Sequence, residues 1–192
     1  MNHPEQSRAQ LLLNDLGVSG DIPLDRVLRD FDEILLETPK AHLTARTIGG
    51  KPRGRGFTIT DPRGDPYLTR TVVEEFADGG AIYLQRIHRS DGDREFHDHP
   101  SDFRTFIVSG RYIEHRPEGE PVEFRAGDWN MGKAEKLHRL ELPDGPVLTI
   151  VYRGPKRREW GFRAAAPDAP WVHHVQYLDA KFGVGGWTKE YE

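Results

Sequence analysis

Two histidines separated by one residue, His97 and His99, are the side chains of this sequence best suited to chemistry. Side chains at positions i and i+2 of a β-strand project from the same face, so both imidazoles can reach one ion. Many histidine pairs of this kind are surface or hydrogen-bonded residues instead. A metal site therefore needs a third ligand.

The third candidate is His138, which begins the run HRLEL. Alternation places it on the same face as Leu140 and Leu142, the expected core side of that strand. Burying a neutral imidazole without hydrogen bonds costs on the order of 1–3 kcal/mol, and a metal bond with a second hydrogen-bond acceptor removes that cost. We therefore predict that His97, His99 and His138 bind one divalent transition-metal ion.

The absence of Cys from the 192 residues limits the chemistry further. It excludes a disulfide framework, a thiolate metal site and a cysteine nucleophile, and it suits the cytoplasm. Imidazole ligation suits Fe(II), Ni(II), Cu(II), Mn(II) or Zn(II). Because no apolar run approaches about 18 residues and the N-terminus lacks signal-peptide features, we expect a cytoplasmic protein without a membrane partner.

The charge balance indicates what kind of partner to expect. Lys and Arg number 27 against 31 Asp and Glu, a formal net charge of −4. Nucleic-acid binding draws its affinity from concentrated positive charge, so nucleic acid is not the expected partner. We expect a small-molecule substrate, and we keep a homodimer open as the assembly.

The elements that position these histidines are expected to be short strands. The sequence has 20 Gly and 14 Pro, a turn-rich composition. Apolar and polar residues alternate in eight runs bounded by turn residues, which indicates an all-β sandwich or barrel. The runs are Phe57–Thr60, Thr69–Phe76, Ala81–His88, Arg94–His99, Phe103–Val108, Arg111–His115, Leu137–Leu142 and Val147–Arg153.

Residues before the strands have a different pattern. Apolar residues up to about Thr47 recur at three- and four-residue spacings, which predicts two helices. The basic, Gly-rich link Gly49–Gly56 lacks the context of a phosphate-binding loop and is expected to be a solvated connector. We therefore divide the chain into a helical extension and linker over 1–56, a barrel over 57–163 and an aromatic C-terminal cap over 164–192.

With these residues in place, the sequence resembles the cupin superfamily over about Phe57 to Arg153. The first cupin motif, G-x5-H-x-H-x3,4-E-x6-G, and the second, G-x5-P-x-G-x2-H-x3-N, can both be traced. The positions in register are His97, His99, Gly110, Gly127 and His138. The departures are Gly92, displaced by one, Phe103 at the Glu position, and Lys133, Glu135 and Leu142 in place of the Pro, Gly and Asn. The segments 154–162 and 171–174 are similar to the end of small bacterial single-domain cupins.

The resemblance implies a jelly-roll barrel with a metal centre, but the usual carboxylate ligand is missing. Three alternatives follow: a three-histidine site like that of the thiol dioxygenases of the superfamily, a substitute carboxylate, or no metal. Glu95 shares the face of His97 by alternation and is a candidate catalytic or supporting group. Asp102 would be a direct ligand only if Pro100 introduces a bulge.

Arg86 is the candidate substrate-binding cation. If Asp91-Gly92 forms a two-residue hairpin turn, Arg86 lies opposite His97 and reaches into the cavity. Its guanidinium would then bind a carboxylate or phosphate, so we expect a possibly anionic substrate, with Arg157 or Arg158 on the closing segment as further cations. The alternative is that Arg86 faces outward.

The function that these residues favour is metal-dependent chemistry on a small polar molecule. A non-haem iron oxygenase is the first expectation, with Fe(II) as the favoured ion, because cupins with open facial sites often use oxygen. One alternative is a metal-dependent isomerase or dehydratase, in which Glu95 moves a proton. Another is a non-catalytic small-molecule binding or sensor protein.

Overall fold

The computed structural model describes residues 56–61, 63–92, 95–166, 168–183 and 188–191. All of them belong to one compact unit, Thr44–Glu192. The two predicted N-terminal helices and nearly all of the Gly-rich link lie outside the described residues. The boundary at residue 56 therefore stays a prediction.

The described residues form thirteen β-strands and one helix, so the all-β prediction is confirmed for them. The strands are β1 (Gly56–Thr60), β2 (Pro66–Glu75), β3 (Ala81–Ile87), β4 (Phe96–His97), β5 (Phe103–Ser109), β6 (Arg111–His115), β7 (Val122–Arg125), β8 (Trp129–Gly132), β9 (Arg139–Glu141), β10 (Val147–Arg153), β11 (Gly161–Arg163), β12 (Val172–His173) and β13 (Thr188–Tyr191). The helix, α1, spans His174–Phe182. Within the described ranges, no helix has the length and hydropathy needed to cross a membrane.

The strands form three antiparallel sheets of a jelly-roll barrel. The large sheet has the order β13-β1-β2-β3-β10-β5-β8, and the two small sheets have the orders β12-β11-β4 and β7-β6-β9. Strands distant in sequence become neighbours, as where β10 lies between β3 and β5. This topology brings the histidine of β4 and the one before β9 to the same end of the barrel.

The core lies between the large sheet and the β7-β6-β9 sheet. Its buried members are Leu68, Ile87, Ile107, Tyr112, Leu142 and Val147. These residues identify the inward face of each strand, because side chains two positions apart on a strand share a face. Thus β2 turns residues 68 and 70 inward, and β3 turns residues 83, 85 and 87 inward.

The strands that the sequence did not indicate are short and poor in alternating apolar residues. β7 reads VEFR and β8 reads WNMG. Each is held by pairing with a longer, strongly patterned strand, β6 and β5 respectively. Their formation depends on a cross-strand partner rather than on a local pattern.

Gly110, one of the positions that match the first motif, has a conformational role. It joins β5 to β6 with a φ of 83°, in the left-handed region that favours glycine. A Cβ there would also lie 3.0 Å from the carbonyl oxygen of Pro146. The sharp turn that starts β6 thus requires a residue without a side chain.

The predicted hairpin between the third and fourth strands is wrong. β3 pairs with β2 and β10, whereas β4 pairs with β11, so that Phe162 lies opposite His97. The chain leaves the large sheet after β3 and enters a different sheet. A two-residue turn at Asp91-Gly92 would have kept both strands in one sheet.

Candidate metal centre

Three histidines, His97, His99 and His138, converge at one end of the barrel. One potential ligand nitrogen from each lies within 4.8 Å of the others, and Nε2 of His99 is 2.7 Å from Nε2 of His138. Two nitrogens bound at about 2.0–2.1 Å and at right angles to each other lie about 3 Å apart. The spacing of these two imidazoles therefore suits neighbouring ligands of one transition-metal ion.

The backbone fixes how these residues meet. His97 and His138 form an isolated antiparallel bridge, in which each backbone N–H donates to the other's carbonyl at 2.9 Å. The backbone N–H of His99 donates to the carbonyl of Ala134 at 2.8 Å. Two chain segments about 40 residues apart in sequence are thus held in register. His138 is 4% exposed, which confirms its predicted inward orientation.

A buried carboxylate orients His138. Nδ1 of His138 is 2.9 Å from Oε2 of Glu114, whose side chain is fully buried. A carboxylate at neutral pH accepts hydrogen bonds, so Nδ1 carries the proton and Nε2 presents its lone pair to the other imidazoles. This is the arrangement that a metal-binding histidine needs.

Glu114 itself is held by two cations and an amide. Oε1 accepts from Nε of Arg116 at 2.6 Å and lies 2.9 Å from Nζ of Lys136, while Asn130 Nδ2 donates to Oε2 at 2.6 Å. Burial alone would raise the pKa of Glu114, but the hydrogen bonds from His138, Lys136 and Asn130 outweigh it and hold that pKa well below its usual range. Glu114 is therefore ionised throughout the physiological range.

His97 has a carboxylate neighbour of its own. Its Nδ1 is 3.6 Å from Oδ2 of Asp91, and Asp91 also accepts from the backbone N–H of Leu140 at 2.7 Å and from the hydroxyl of Tyr67. Asp91 faces the Nδ1 side of the ring, which leaves the lone pair of Nε2 available to a metal ion. Two of the three imidazoles thus have a carboxylate on the side away from their neighbours.

Burial favours the neutral forms of His97 and His99. It lowers the pKa of His97 to about 4, against a weaker opposing effect of Asp91. Burial likewise lowers the pKa of His99 well below its ordinary value, and the nearby His138, His97 and Arg70 act in the same direction. Neutral imidazoles keep the lone pairs that a metal ion binds, so the centre is ready for an ion at neutral pH.

Phe103 occupies the position of the missing carboxylate and faces the histidines. It is 8% exposed, and its ring centroid lies 4.7 Å from that of His99 and 5.8 Å from that of His138. Gly132 lies opposite it on β8, where a Cβ would be 2.6 Å from the Phe103 ring. The ring therefore fills the space beside the histidines.

Neither proposed substitute carboxylate belongs to the cluster. Asp102 accepts from Lys133, from the backbone of Ala134 and from Arg157. Glu95 does not belong to this group either, because it accepts a hydrogen bond from the Tyr177 hydroxyl at 2.6 Å. Among the described residues, the group that converges here consists of three histidines without a carboxylate.

The inward orientation expected for Arg86 is wrong. Arg86 is exposed on β3 and lies opposite Thr69 of β2, on the face away from the core residue Ile87. The expectation depended on a hairpin that does not form, and a shift of one residue in a strand reverses the face of every side chain. The other proposed cations are paired: Arg157 with Asp102 and Glu135, and Arg158 with Asp98.

Three residues near the centre were not identified from the sequence: Glu114, Asp91 and Arg70. The sequence signal for Glu114 is the alternation along β6, which places it on the same face as Tyr112. In the structure both side chains are buried. Arg70 shares the face of Leu68 by the same alternation. Asp91 was interpreted only as part of a hairpin turn, and no local pattern marks it as a neighbour of the histidines.

A second group of possible ligands, Glu159, His173 and His174, lies at the surface. His173 Nδ1 accepts from the backbone N–H of Val175 at 3.3 Å, and its Nε2 faces Oε2 of Glu159 at 3.4 Å. Nε2 therefore carries the proton and donates toward the carboxylate. His174 Nδ1 donates to the carbonyl of Trp160 at 3.1 Å. These contacts tie the C-terminal helix to β11, which is a structural role.

Comparison with known proteins found similar solved structures only. No family model and no curated protein matches the chain. KdgF from Halomonas sp. is 22% identical with a TM-score of 0.40, covering 48% of this chain and 84% of that one. A conserved protein with a double-stranded β-helix domain from Klebsiella pneumoniae is 19% identical with a TM-score of 0.39, covering 62% and 89%.

A cupin-2 domain protein from Shewanella frigidimarina is 15% identical with a TM-score of 0.37, covering 46% of this chain and 79% of its own. The fold itself is established by the strand pairing described above.

Proposed function

We propose that the chain binds one divalent transition-metal ion at His97, His99 and His138, and that it acts as a non-haem iron oxygenase on a small polar molecule. The observation that carries the metal site is the convergence of three imidazoles, with one potential ligand nitrogen from each within 4.8 Å of the others. The hydrogen bond to Glu114 turns Nε2 of His138 toward the other imidazoles, and Asp91 lies near Nδ1 of His97 at 3.6 Å. Buried histidines arranged in this way are hard to explain by packing alone.

The donor set fits an ion of this kind. When bound, such an ion would supply Lewis-acid and redox chemistry at coordination positions that the protein leaves open. Three protein ligands leave room for further ligands, and the described residues place no carboxylate in the group. The expectation of iron rests on the cupin resemblance and on imidazole ligation, which other transition metals share.

The surrounding residues have distinct tasks. Glu114 keeps a proton on Nδ1 of His138, and Asp91 faces the corresponding atom of His97. Phe103 excludes water from the side of the centre next to His99. Trp160 and Phe162 place their ring centroids 6.5 and 6.1 Å from that of His97 and form an apolar wall on its other side.

The first test is metal binding by the full-length chain. Protein freed of metal with a chelator is titrated anaerobically with Fe(II), and with Zn(II) and Ni(II) in parallel, by calorimetry. We expect one ion per chain, and we expect the double variant His97→Ala, His99→Ala to lose it. His115→Ala is the matched control, because His115 pairs with Glu141 at the outer surface. Stoichiometric binding that survives in the double variant would overturn the site.

The second test separates an oxygenase from the alternatives. Oxygen uptake by the Fe(II)-loaded chain is measured with a set of small hydroxy and carboxylic acids, and each product is identified by mass spectrometry. Oxygen consumption coupled to substrate loss supports the oxygenase. Conversion without oxygen indicates an isomerase or dehydratase, and a ligand returned unchanged indicates a binding protein.

A further inference from the structure

Arg70 is a cation inside the barrel whose charge is not neutralised by any carboxylate of the described residues. Its Nε donates to Oε1 of Gln85 at 2.6 Å, and its guanidinium carbon lies 5.3 Å from the ring centroid of Tyr83. These partners are a neutral amide and an aromatic face. Over the ranges that the structure describes, no acidic side chain forms an ion pair with Arg70.

The strand register directs Arg70 inward. It pairs with Gln85 across β2 and β3, two residues from the core pair Leu68 and Ile87. Gln85 is itself 8% exposed. Arg70 therefore lies on the inner face of the large sheet, while its neighbour in sequence, Thr69, faces outward with Arg86.

The same inner face leads to the histidines. Tyr83 lies opposite Val151 of β10, and Val151 lies opposite Thr105 of β5. Phe103, two residues before Thr105, contacts the ring of His99. Arg70 and the metal-binding histidines therefore lie along the same inner face of the barrel.

The guanidinium of Arg70 is held through Nε, so its two terminal nitrogens can still donate hydrogen bonds. Because Nε is bound to Gln85, the terminal nitrogens Nη1 and Nη2 remain, and neither has a hydrogen-bond partner within the described residues. Neither is among the polar atoms that are sealed from solvent without a partner. Two parallel N–H groups form the fork that binds a carboxylate or phosphate in bidentate fashion.

We propose that Arg70 is the anion-binding residue of the barrel, and that the substrate carries a carboxylate or phosphate group bound by Nη1 and Nη2. Gln85 is the positioning residue that fixes the guanidinium. This inference rests on the proposed function, because it makes the metal-binding histidines and Arg70 hold two parts of one molecule. It assigns to Arg70 the role that the sequence suggested for Arg86.

The test measures anion binding by the full-length, metal-loaded chain by calorimetry. The probes are succinate, inorganic phosphate and the neutral succinamide. We expect binding of succinate or phosphate but not of succinamide, and the stronger of the two identifies the anionic group. Arg70→Gln should weaken that binding by roughly tenfold or more, since the fork is lost. Arg86→Gln removes the same charge from the outer face and should change it by less than about twofold.

A second variant keeps the test informative if Arg70→Gln does not fold. Gln85→Glu places a carboxylate against Arg70 and should weaken anion binding while Arg70 remains in place. Anion binding that is unchanged in both variants, or equal binding of succinamide, would overturn the inference. Repeating the titrations on metal-free protein separates the two proposals: Arg70-dependent anion binding that persists there supports the anion site by itself, while the metal centre is decided by the metal titration of the His97→Ala, His99→Ala variant.

Discussion

The carboxylate of Glu114 should control metal affinity through His138, and the variant Glu114→Gln tests this directly. The substitution keeps the size of the side chain but removes its charge. A glutamine amide can turn its NH2 group toward Nδ1 of His138, which then accepts a hydrogen bond. Nε2 would in that case carry the proton, and its lone pair would no longer be available to an ion.

The magnitude follows from the contacts. Removing a carboxylate that supports a metal-binding histidine typically costs about 10- to 100-fold in metal affinity, or about 1.4–2.7 kcal/mol. We expect the upper part of this range, because the Glu114 side chain is fully buried and water cannot replace it. The free energy of unfolding should fall as well, by about 3–5 kcal/mol, since Arg116 and Lys136 lose a buried partner.

The assay is calorimetric titration of metal-free protein with Zn(II) or Ni(II), with folding checked by circular dichroism. Glu141→Gln is the matched control, because Glu141 pairs with Nε2 of His115 at 2.7 Å on the exposed side. It should leave metal affinity unchanged. In a His138→Ala background, Glu114→Gln should have little further effect on affinity. A folded Glu114→Gln variant that binds metal within about threefold of the parent would refute the role assigned to Glu114.

Three further outcomes are expected. Phe103→Glu should tighten metal binding by adding a fourth ligand next to His99, while Phe103→Gln should not; equal affinities in titrations of the two variants would argue against this. Metal-free protein should lose stability to urea as the pH falls from about 6.5 toward about 4, because the unfolded chain binds a proton at His97 that the folded chain, with a pKa of about 4, does not. His97→Asn should reduce the change of unfolding free energy with pH. The same pH dependence in this variant as in the parent would contradict the role of His97. Gly132→Ala should lower the free energy of unfolding by about 1–3 kcal/mol in urea titrations, since its Cβ would overlap the Phe103 ring. A urea midpoint equal to that of the parent would contradict the close packing of Gly132 against Phe103.

The histidines were predictable because their signal is local. His97 and His99 follow the period of two of an extended strand, and His138 interrupts an apolar face. Glu114 was harder to identify, because RYIEHR fits one buried and one solvated face in either orientation. What decides its burial is the set of partners supplied by other segments, namely Asn130, Lys136 and His138.

The assignment of the interior arginine depended on pairing between distant strands. Both Arg70 and Arg86 lie on strands of the large sheet, on opposite faces. The sequence shows the alternation along each strand but not which strand lies beside which. The choice of β2 and β10 as the neighbours of β3, rather than β4, is set by the whole topology, and it is this choice that turns Gln85 inward and Arg86 outward.

The charges around the centre explain why an anionic substrate suits it. Asp91 and Glu114 contribute two negative charges, and Arg116 and Lys136, both paired with Glu114, contribute two positive charges. These four charges balance, and burial lowers the pKa values of His97 and His99, which favours their neutral forms. A divalent ion adds two positive charges that no carboxylate ligand among the described residues offsets, and Arg70 adds a third inside the same barrel. In a partly desolvated interior such an excess is unfavourable unless an anion accompanies it. If the proposed ion and Arg70 act together, Phe103 in place of a carboxylate leaves the compensating charge to an anionic substrate.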